Sequence, residues 1–346
     1  MGNKNISQQF RSFASECKQL QAPLYEYISE SISDDPDILA FSVNARVGQP
    51  VGNLFFASVR FLLLKGIKHP LSDIYKNVSD GMIIDYFSAY QCFRSFCMEN
   101  EIQIKKLLSD GIVQTNVPAR CCYLMPAFQY VLAKEKTNAI SLIEIGPSAG
   151  LNLLWDQYKY RYSDGREYGE KNSTVNLYSE FRGKLKPVIS NSFSDVLYRV
   201  GIDLNPIDLL DEDAILWLKS LVWPENKSEE IILLQAIQNA LGSLNTINLI
   251  KGDAAELLPQ VIDDAPIQGS LVVFDSHVMN QVNMKSRKKI EDVFLTHSKM
   301  RKIFHVSVGG ITQEPEMWLN VFDKGEVDNI LLGYTDAHGR WINWVV

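Results

Sequence analysis

Along the first third of the chain, apolar residues recur at helical intervals. Phe10, Phe13, Ala14 and Cys17 share one face, and Leu54, Ala57, Val59, Phe61 and Leu62 share another, the rhythm of amphipathic helices. Local punctuation agrees. Asp34-Asp35-Pro36 predicts a helix start and a helix through Ala45, Gly52-Asn53 opens a second, and Lys65-Gly66 closes it with a cation and a glycine. Residues 82–108 carry the same periodicity in one or two pieces, and nothing before residue 110 alternates as a strand would.

After Thr137 the rhythm changes. Short apolar runs at 140–145, 198–204, 247–250, 271–274 and 303–308 alternate with helical stretches, which predicts βα units and a parallel sheet. Two last runs, 329–334 and 341–346, flank Asp336-Ala-His-Gly339 and predict a closing antiparallel hairpin. Between the first and second runs, residues 159–195 alternate in Tyr158-Lys-Tyr-Arg-Tyr162 and Val175-Asn-Leu-Tyr178, the mark of an inserted antiparallel β-hairpin element. The expected organisation is a helical N-terminal cap domain over 1–137 and a sheet domain over 138–346.

The stretch 142–154, LIEIGPSAGLNLL, is a buried strand, a tight turn and an apolar helix. Gly146 and Gly150 leave the turn without side chains, so that a ligand can lie against the backbone and the helix start. The spacing is not GxGxxG, so the dinucleotide fingerprint is absent. Glu144, at the end of the strand, would repel a pyrophosphate but suits the cationic amino-acid end of S-adenosylmethionine. The next strands end in acids too. Asp203 is placed to accept from ribose hydroxyls, with Glu180 of the insertion as a rival, and Asp253, followed by Ala254, is placed to accept from an adenine amino group. Residues 271–277 end in Asp275, Ser276 and His277 at the crevice edge. One such acid alone is as well explained by helix capping; the series at successive strand ends points to a cofactor. The fold class expected is therefore α/β, with a Rossmann-like, methyltransferase-type seven-stranded sheet behind an N-terminal all-helical domain.

Composition narrows the partners. The chain of 346 residues is 46% hydrophobic and 22% charged, with a formal net charge of −7, a soluble globular profile without the basic footprint of a nucleic-acid binder. The basic run at 285–289 reads as a solvated helix face. The longest apolar run, 54–64, contains Ser58 and Arg60 and is too short to span a bilayer. Residues 1–9 are polar and unlike a secretory signal. The five cysteines, Cys17, Cys92, Cys97, Cys121 and Cys122, show no CxxC spacing and read as reduced, buried thiols. Asp208, Asp211 and Asp213 match no calcium loop and read as helix caps, so no metal is expected. Trp155 and Tyr158, three apart, read as core. A cytoplasmic protein acting on a small molecule, neither on nucleic acid nor at a membrane, is the expectation; nothing in the sequence sets its oligomeric state.

With these motifs in view, the chain resembles the bacterial family of uncharacterised proteins known as domain of unknown function 2332. The matching stretches are Gly52-Asn-Leu-Phe-Phe-Ala57, Gln114-Thr-Asn116 with Arg120, the run from Glu144 to Tyr158, Gly201-Ile-Asp-Leu-Asn-Pro-Ile-Asp208, Val222-Trp-Pro224 and Gly252-Asp253. It departs at Val117-Pro118-Ala119, where a Glu is expected after the Thr-Asn pair, and at Asp275, where a His is commoner. The resemblance implies a fold of the S-adenosylmethionine-dependent methyltransferase superfamily. Three functions follow for comparison. The first is methyl transfer from S-adenosylmethionine to a small-molecule acceptor, with His277 as base and Asn116 and Arg120 orienting the acceptor, and with Glu144, Gly146, Ser148, Gly150, Asp203, Asp253, Ala254 and Asp275 lining the cofactor. Asn116 has a second role open to it, capping a helix that opens at Pro118, and Arg120 equally suits a carboxylate of cofactor or substrate or an acid on the surface. The second function is cofactor binding without catalysis. The third is serine hydrolysis, because Gly146-Pro-Ser-Ala-Gly150 also satisfies GxSxG, with Asp253 or Asp275 and His305 or His338 to complete a triad.

Overall fold

The computed structural model describes residues 3–190, 195–310 and 314–346. The chain forms two compact units, Met1–Thr115 with Asp211–Ile231, and Asn116–Leu210 with Ile232–Val346.

The first unit holds α1 (Asn3–Gln19), α2 (Pro23–Ser33), α3 (Pro36–Ser42), α4 (Val51–Leu64), α5 (Leu71–Ser79), α6 (Tyr86–Glu99) and α7 (Glu101–Asp110). Asp35 and Asp85 start α3 and α6 by accepting the first free backbone N–H groups, the groups a helix cannot satisfy internally. Helix α3 stops at Ser42, short of the expected Ala45. Phe10, Tyr25, Phe55, Phe56 and Phe93 form a buried aromatic core, with Tyr25 stacked on Phe56 at 4.0 Å between centroids. The returning segment 211–231 belongs to this core. Trp217 and Trp223 pack against it, Arg60 pairs with Glu230, and Glu225 Oε1 accepts from the N–H of Leu24 at 3.1 Å.

The second unit contains α8 (Cys121–Glu135) and the whole sheet; α9 (Glu212–Ser220) lies in the returning segment and α10 (Lys227–Leu241) begins in it. Helices α11 (Ala254–Asp264) and α12 (Met284–His297) complete the set. The strands are β1 (Ala139–Ile145), β2 (Lys159–Tyr162), β3 (Glu167–Gly169), β4 (Asn176–Arg182), β5 (Asp195–Asp203) and β6 (Asn248–Lys251). They continue with β7 (Ser270–Ser276), β8 (Ile303–Gly309), β9 (Glu316–Asp323), β10 (Glu326–Thr335) and β11 (Trp341–Trp344).

The sheet is mixed and has eleven strands in the order β3-β2-β4-β11-β10-β9-β8-β7-β1-β5-β6. The expectation of seven strands is corrected. The seven apolar runs are all strands, but β9 and the three strands of the insertion join the same sheet. Strand β9 alternates buried and half-buried positions and is too polar to stand out as an apolar run. The insertion is not a plain antiparallel hairpin either: β2 pairs antiparallel with β3 but parallel with β4, and β4 pairs parallel with β11. Part of the expected element, residues 191–194, lies outside the described residues. The predicted closing hairpin is present as β10 and β11, antiparallel with Thr335 opposite Ile342.

The five strands β6, β5, β1, β7 and β8 are mutually parallel. Strands β1 and β7 are buried almost throughout, as central strands of a sheet covered on both faces must be. On one face, Ile143, Val200 and Val273 pack with Leu258 of α11 and Phe294 of α12. On the other, Phe128 of α8 meets Trp155 and Phe274 edge-on, at 5.4 and 5.1 Å between centroids. The chain order of these strands reverses at β1, whose neighbours are β5 and β7. In open α/β sheets, ligands bind in the crevice outside the carboxyl ends of the strands at such a reversal. Among the described residues no helix is long and apolar enough to cross a membrane.

Candidate functional site

Strand β1 ends at Ile145 and the chain turns at once. Gly146 sends its N–H across to Ile202 O at 2.9 Å with φ at +70°. A Cβ here would stand 2.6 Å from Val278 Cγ2, so the position requires glycine twice over. Gly150 closes the turn at φ +75°, where a Cβ would meet Leu249 at 3.1 Å and Ile247 at 3.4 Å. Gly150 is thus fitted against side chains at and before β6.

The amide groups that open the next helical turn, Leu151–Gln157, are engaged. Ser148 N–H donates to Asp203 Oδ2 at 2.9 Å, while Ala149 and Leu151 N–H donate to Asn116 Oδ1 at 3.2 and 3.1 Å. Asp203 Oδ1 also accepts from Asn205 N–H at 2.8 Å. Buried Asn116 therefore caps a helix, but the one after β1 rather than the short turn Pro118–Arg120, which has no side-chain cap. Asn116→Ala strands two buried N–H groups and is expected to cost on the order of 2 kcal/mol. Urea unfolding measures it; a loss under about 0.5 kcal/mol would count against the clamp.

Glu144 lies one residue before the turn, 2% exposed. Its Oε1 accepts from Asn152 Nδ2 at 3.4 Å, and among the described residues its buried Oε2 has no hydrogen-bond partner. Burial pushes its carboxyl up to about 8, against the pull of Asn152 and the Arg120 guanidinium and with the help of the Asp203 and Asp275 charges. At neutral pH this carboxyl holds its proton. Asn152 is fixed in turn, its side-chain oxygen accepting from the Cys121 thiol at 3.5 Å.

On the adjacent strand, Asp275 is 1% exposed. Its Oδ2 lies 3.0 Å from His305 Nε2, and the other ring nitrogen of His305 faces Asn320 Nδ2 at 3.4 Å. Since an amide nitrogen only donates, His305 Nδ1 accepts and Nε2–H donates to the carboxylate. Ser276 Oγ pairs with Tyr123 Oη at 2.7 Å. His277 turns the chain at φ +62°, sending its N–H to Val308 O at 2.7 Å. Its Nε2 is buried with no hydrogen-bond partner among the described residues. Burial first, then the charges of Arg120 and His338, push this imidazole down to about 3, so it is neutral across the physiological range. Ser148, at φ +57°, and His277 are two of the five non-glycine residues with positive φ among the described residues, and they stand at adjacent strand ends. Such strain costs about 1–3 kcal/mol per residue and gathers at functional sites.

Arg120 reaches this end of β7. Its Nε donates to Ala337 O at 3.0 Å and its Nη1 to Ser276 O at 3.3 Å. The expected residues Glu144, Gly146, Ser148, Gly150, Asp203, Asp275, His277, Asn116 and Arg120 thus gather at the ends of β5, β1 and β7. Asp253 is exposed and caps α11 through Ala255 N–H at 2.9 Å, with Ala254 the first residue of that helix. Glu180 lies on β4, across six intervening strands from β5, exposed and paired with Arg182 at 2.9 Å. Sequence reasoning missed Asn152, Tyr123 and Asn320, and named His305 only as a triad candidate of the hydrolase reading; a histidine inside the apolar run Ile-Phe-His-Val was the one available signal of its pairing with Asp275. Among the described residues no cluster of three or more His, Cys, Asp or Glu could hold a metal ion.

No curated protein matches the chain. The profile of a family described as an uncharacterized protein conserved in bacteria, DUF2332, matches residues 7–344. The match covers nearly the whole length, and the chain belongs to the DUF2332 family.

Proposed function

We propose that this protein is an S-adenosylmethionine-dependent methyltransferase acting on a small-molecule acceptor. The strand order carries it. Numbered along the chain, the five parallel strands run 3-2-1-4-5, the order of a Rossmann-like sheet, and the first four end at or near Glu144, Asp203, Asp253 and Asp275. Glu144 fits the cofactor independently, because its buried Oε2, without a hydrogen-bond partner among the described residues, is stabilised by a cation such as the ammonium of an amino acid. Asp203, a buried acid at the end of the strand next to β1, stands where a carboxylate can accept from ribose hydroxyls.

When bound, the cofactor supplies an electrophilic methyl group on a sulfonium. The chain has to hold the acceptor in line and take up one proton. Arg120 orients the acceptor, and His277 Nε2, unprotonated at every physiological pH, accepts the proton that the acceptor oxygen or nitrogen loses.

Calorimetric titration with S-adenosylmethionine and S-adenosylhomocysteine tests the proposal. Binding is expected with release of about one proton at pH 7, read from buffers of different ionisation enthalpy, because a cation beside Glu144 expels its proton. No heat and no thermal shift at millimolar ligand would sink the proposal. Affinity without turnover on any acceptor would favour a binding protein instead.

The positive φ of Ser148 favours a second reading, the serine hydrolase. Against it, the N–H of Ala149, the oxyanion donor such an enzyme needs after its nucleophile, is engaged by Asn116. An active-site serine probe that labels Ser148 would revive it.

A further inference from the structure

The β10–β11 hairpin brings more chemistry to the end of β7. Its tip, Asp336-Ala-His-Gly339, receives Arg120 Nε at Ala337 O, and Gly339 lies so close to the backbone of Ala119 that a Cβ could not be fitted. His338 is near enough to help keep His277 unprotonated. Arg120 is thus held from two sides by carbonyl oxygens, Ala337 O and Ser276 O. Among the described residues no carboxylate pairs with it, and its Nη2 group is not spent on those anchors. Asp336, the acid of the tip, is engaged elsewhere: Arg340 N–H donates to it at 2.6 Å and Arg340 Nη1 stands 3.9 Å away. A fixed, half-buried guanidinium without a counter-ion among the described residues is a site for an anion.

The surroundings choose the anion. A guanidinium fork takes phosphate as well as carboxylate, but the backbone N–H groups that often add to a phosphate site are engaged here, those of Ser148, Ala149 and Leu151 donating to Asp203 and Asn116. Asp203 and Asp275 nearby would also repel a dianion. A singly charged carboxylate matches one planar guanidinium. We propose that the acceptor molecule carries a carboxylate, bound by Arg120 at the hairpin tip. The proposal rests on the methyltransferase reading for the word acceptor, though not for the anion site itself.

The probe is formate, small enough to enter whatever the shape of the remaining pocket. The imidazole signals of His277 and His338 in the whole protein are followed by NMR, with and without saturating S-adenosylhomocysteine. Both signals are expected to move saturably with formate, and to do so with the cofactor product bound. Arg120→Met is expected to weaken formate at least about 10-fold while leaving S-adenosylhomocysteine affinity within about 2-fold. Arg120→Lys serves if the methionine variant fails to fold, since it keeps the charge and loses the fork. Absence of saturation, tighter binding of inorganic phosphate than of formate, or competition between formate and S-adenosylhomocysteine would each overturn the carboxylate-bearing acceptor. The last result would hand Arg120 to the cofactor's own carboxylate. Formate saturation without any binding of S-adenosylhomocysteine would remove the methyltransferase reading and leave the anion site standing.

Discussion

Glu144→Gln is expected to match the unsubstituted protein in stability near pH 4 and to exceed it by on the order of 4 kcal/mol at pH 9. The sign follows from the direction of the shift. Burial raises the Glu144 carboxyl from 4.5 to about 8 in the folded chain. A group raised on folding contributes its stability fully below the unfolded value, where both states hold the proton. Between 4.5 and about 8 the unfolded chain ionises while the folded one does not, and the contribution drains away. Above that window the folded protein carries a buried carboxylate whose Oε2 has no partner among the described residues. Glutamine does not titrate and escapes the loss, while keeping a side-chain oxygen to accept from Asn152. Denaturant unfolding of both proteins from pH 4 to 9 gives the result. Parallel stability curves would mean that Glu144 ionises freely in the folded state, and the proton release expected on cofactor binding would fail with it.

That neutral carboxyl marks where the sequence ceases to be readable. The strand ends were legible because a parallel sheet buried on both faces demands uninterrupted apolar runs, and 140–145 and 271–274 stand out as such. The acids closing those runs were legible as positions. Their states were not, because the protonation of Glu144 depends on how completely α8, the turn and β7 exclude water, which no local pattern encodes. Asn116 shows the same limit. A cap on its own helix can be read from neighbouring residues, whereas its bonds to Ala149 and Leu151 span 33 and 35 positions. The segment 211–231 was hidden for a related reason. Its helical periodicity fits either unit, and only Trp217 and Trp223 seated on the helical core decide between them. Strand β9 was missed because a half-buried strand alternates in burial and never accumulates an apolar run.

If the protein transfers methyl groups as proposed, its kcat/KM for S-adenosylmethionine is expected to rise about 50-fold between pH 6 and pH 8 and then to level off. This parameter reports the ionisations of the free enzyme. Glu144 must shed its proton to face a cation, and with its carboxyl raised to about 8 only about one molecule in a hundred has done so at pH 6. Histidine bases ordinarily add a limb near 6.5. None is expected here, because burial together with Arg120 and His338 holds the His277 imidazole near 3, leaving it unprotonated throughout the range. The same depression makes His277 a weak base, so His277→Ala is expected to lower turnover by about 100-fold, the lower end of what general-base catalysis contributes. Glu144→Gln separates the two groups: it should flatten the rise between pH 6 and 8 while the effect of losing His277 persists. A profile bending near 6.5 would contradict the buried, neutral imidazole. A rise surviving in the glutamine variant would assign that limb to another group and detach Glu144 from cofactor capture.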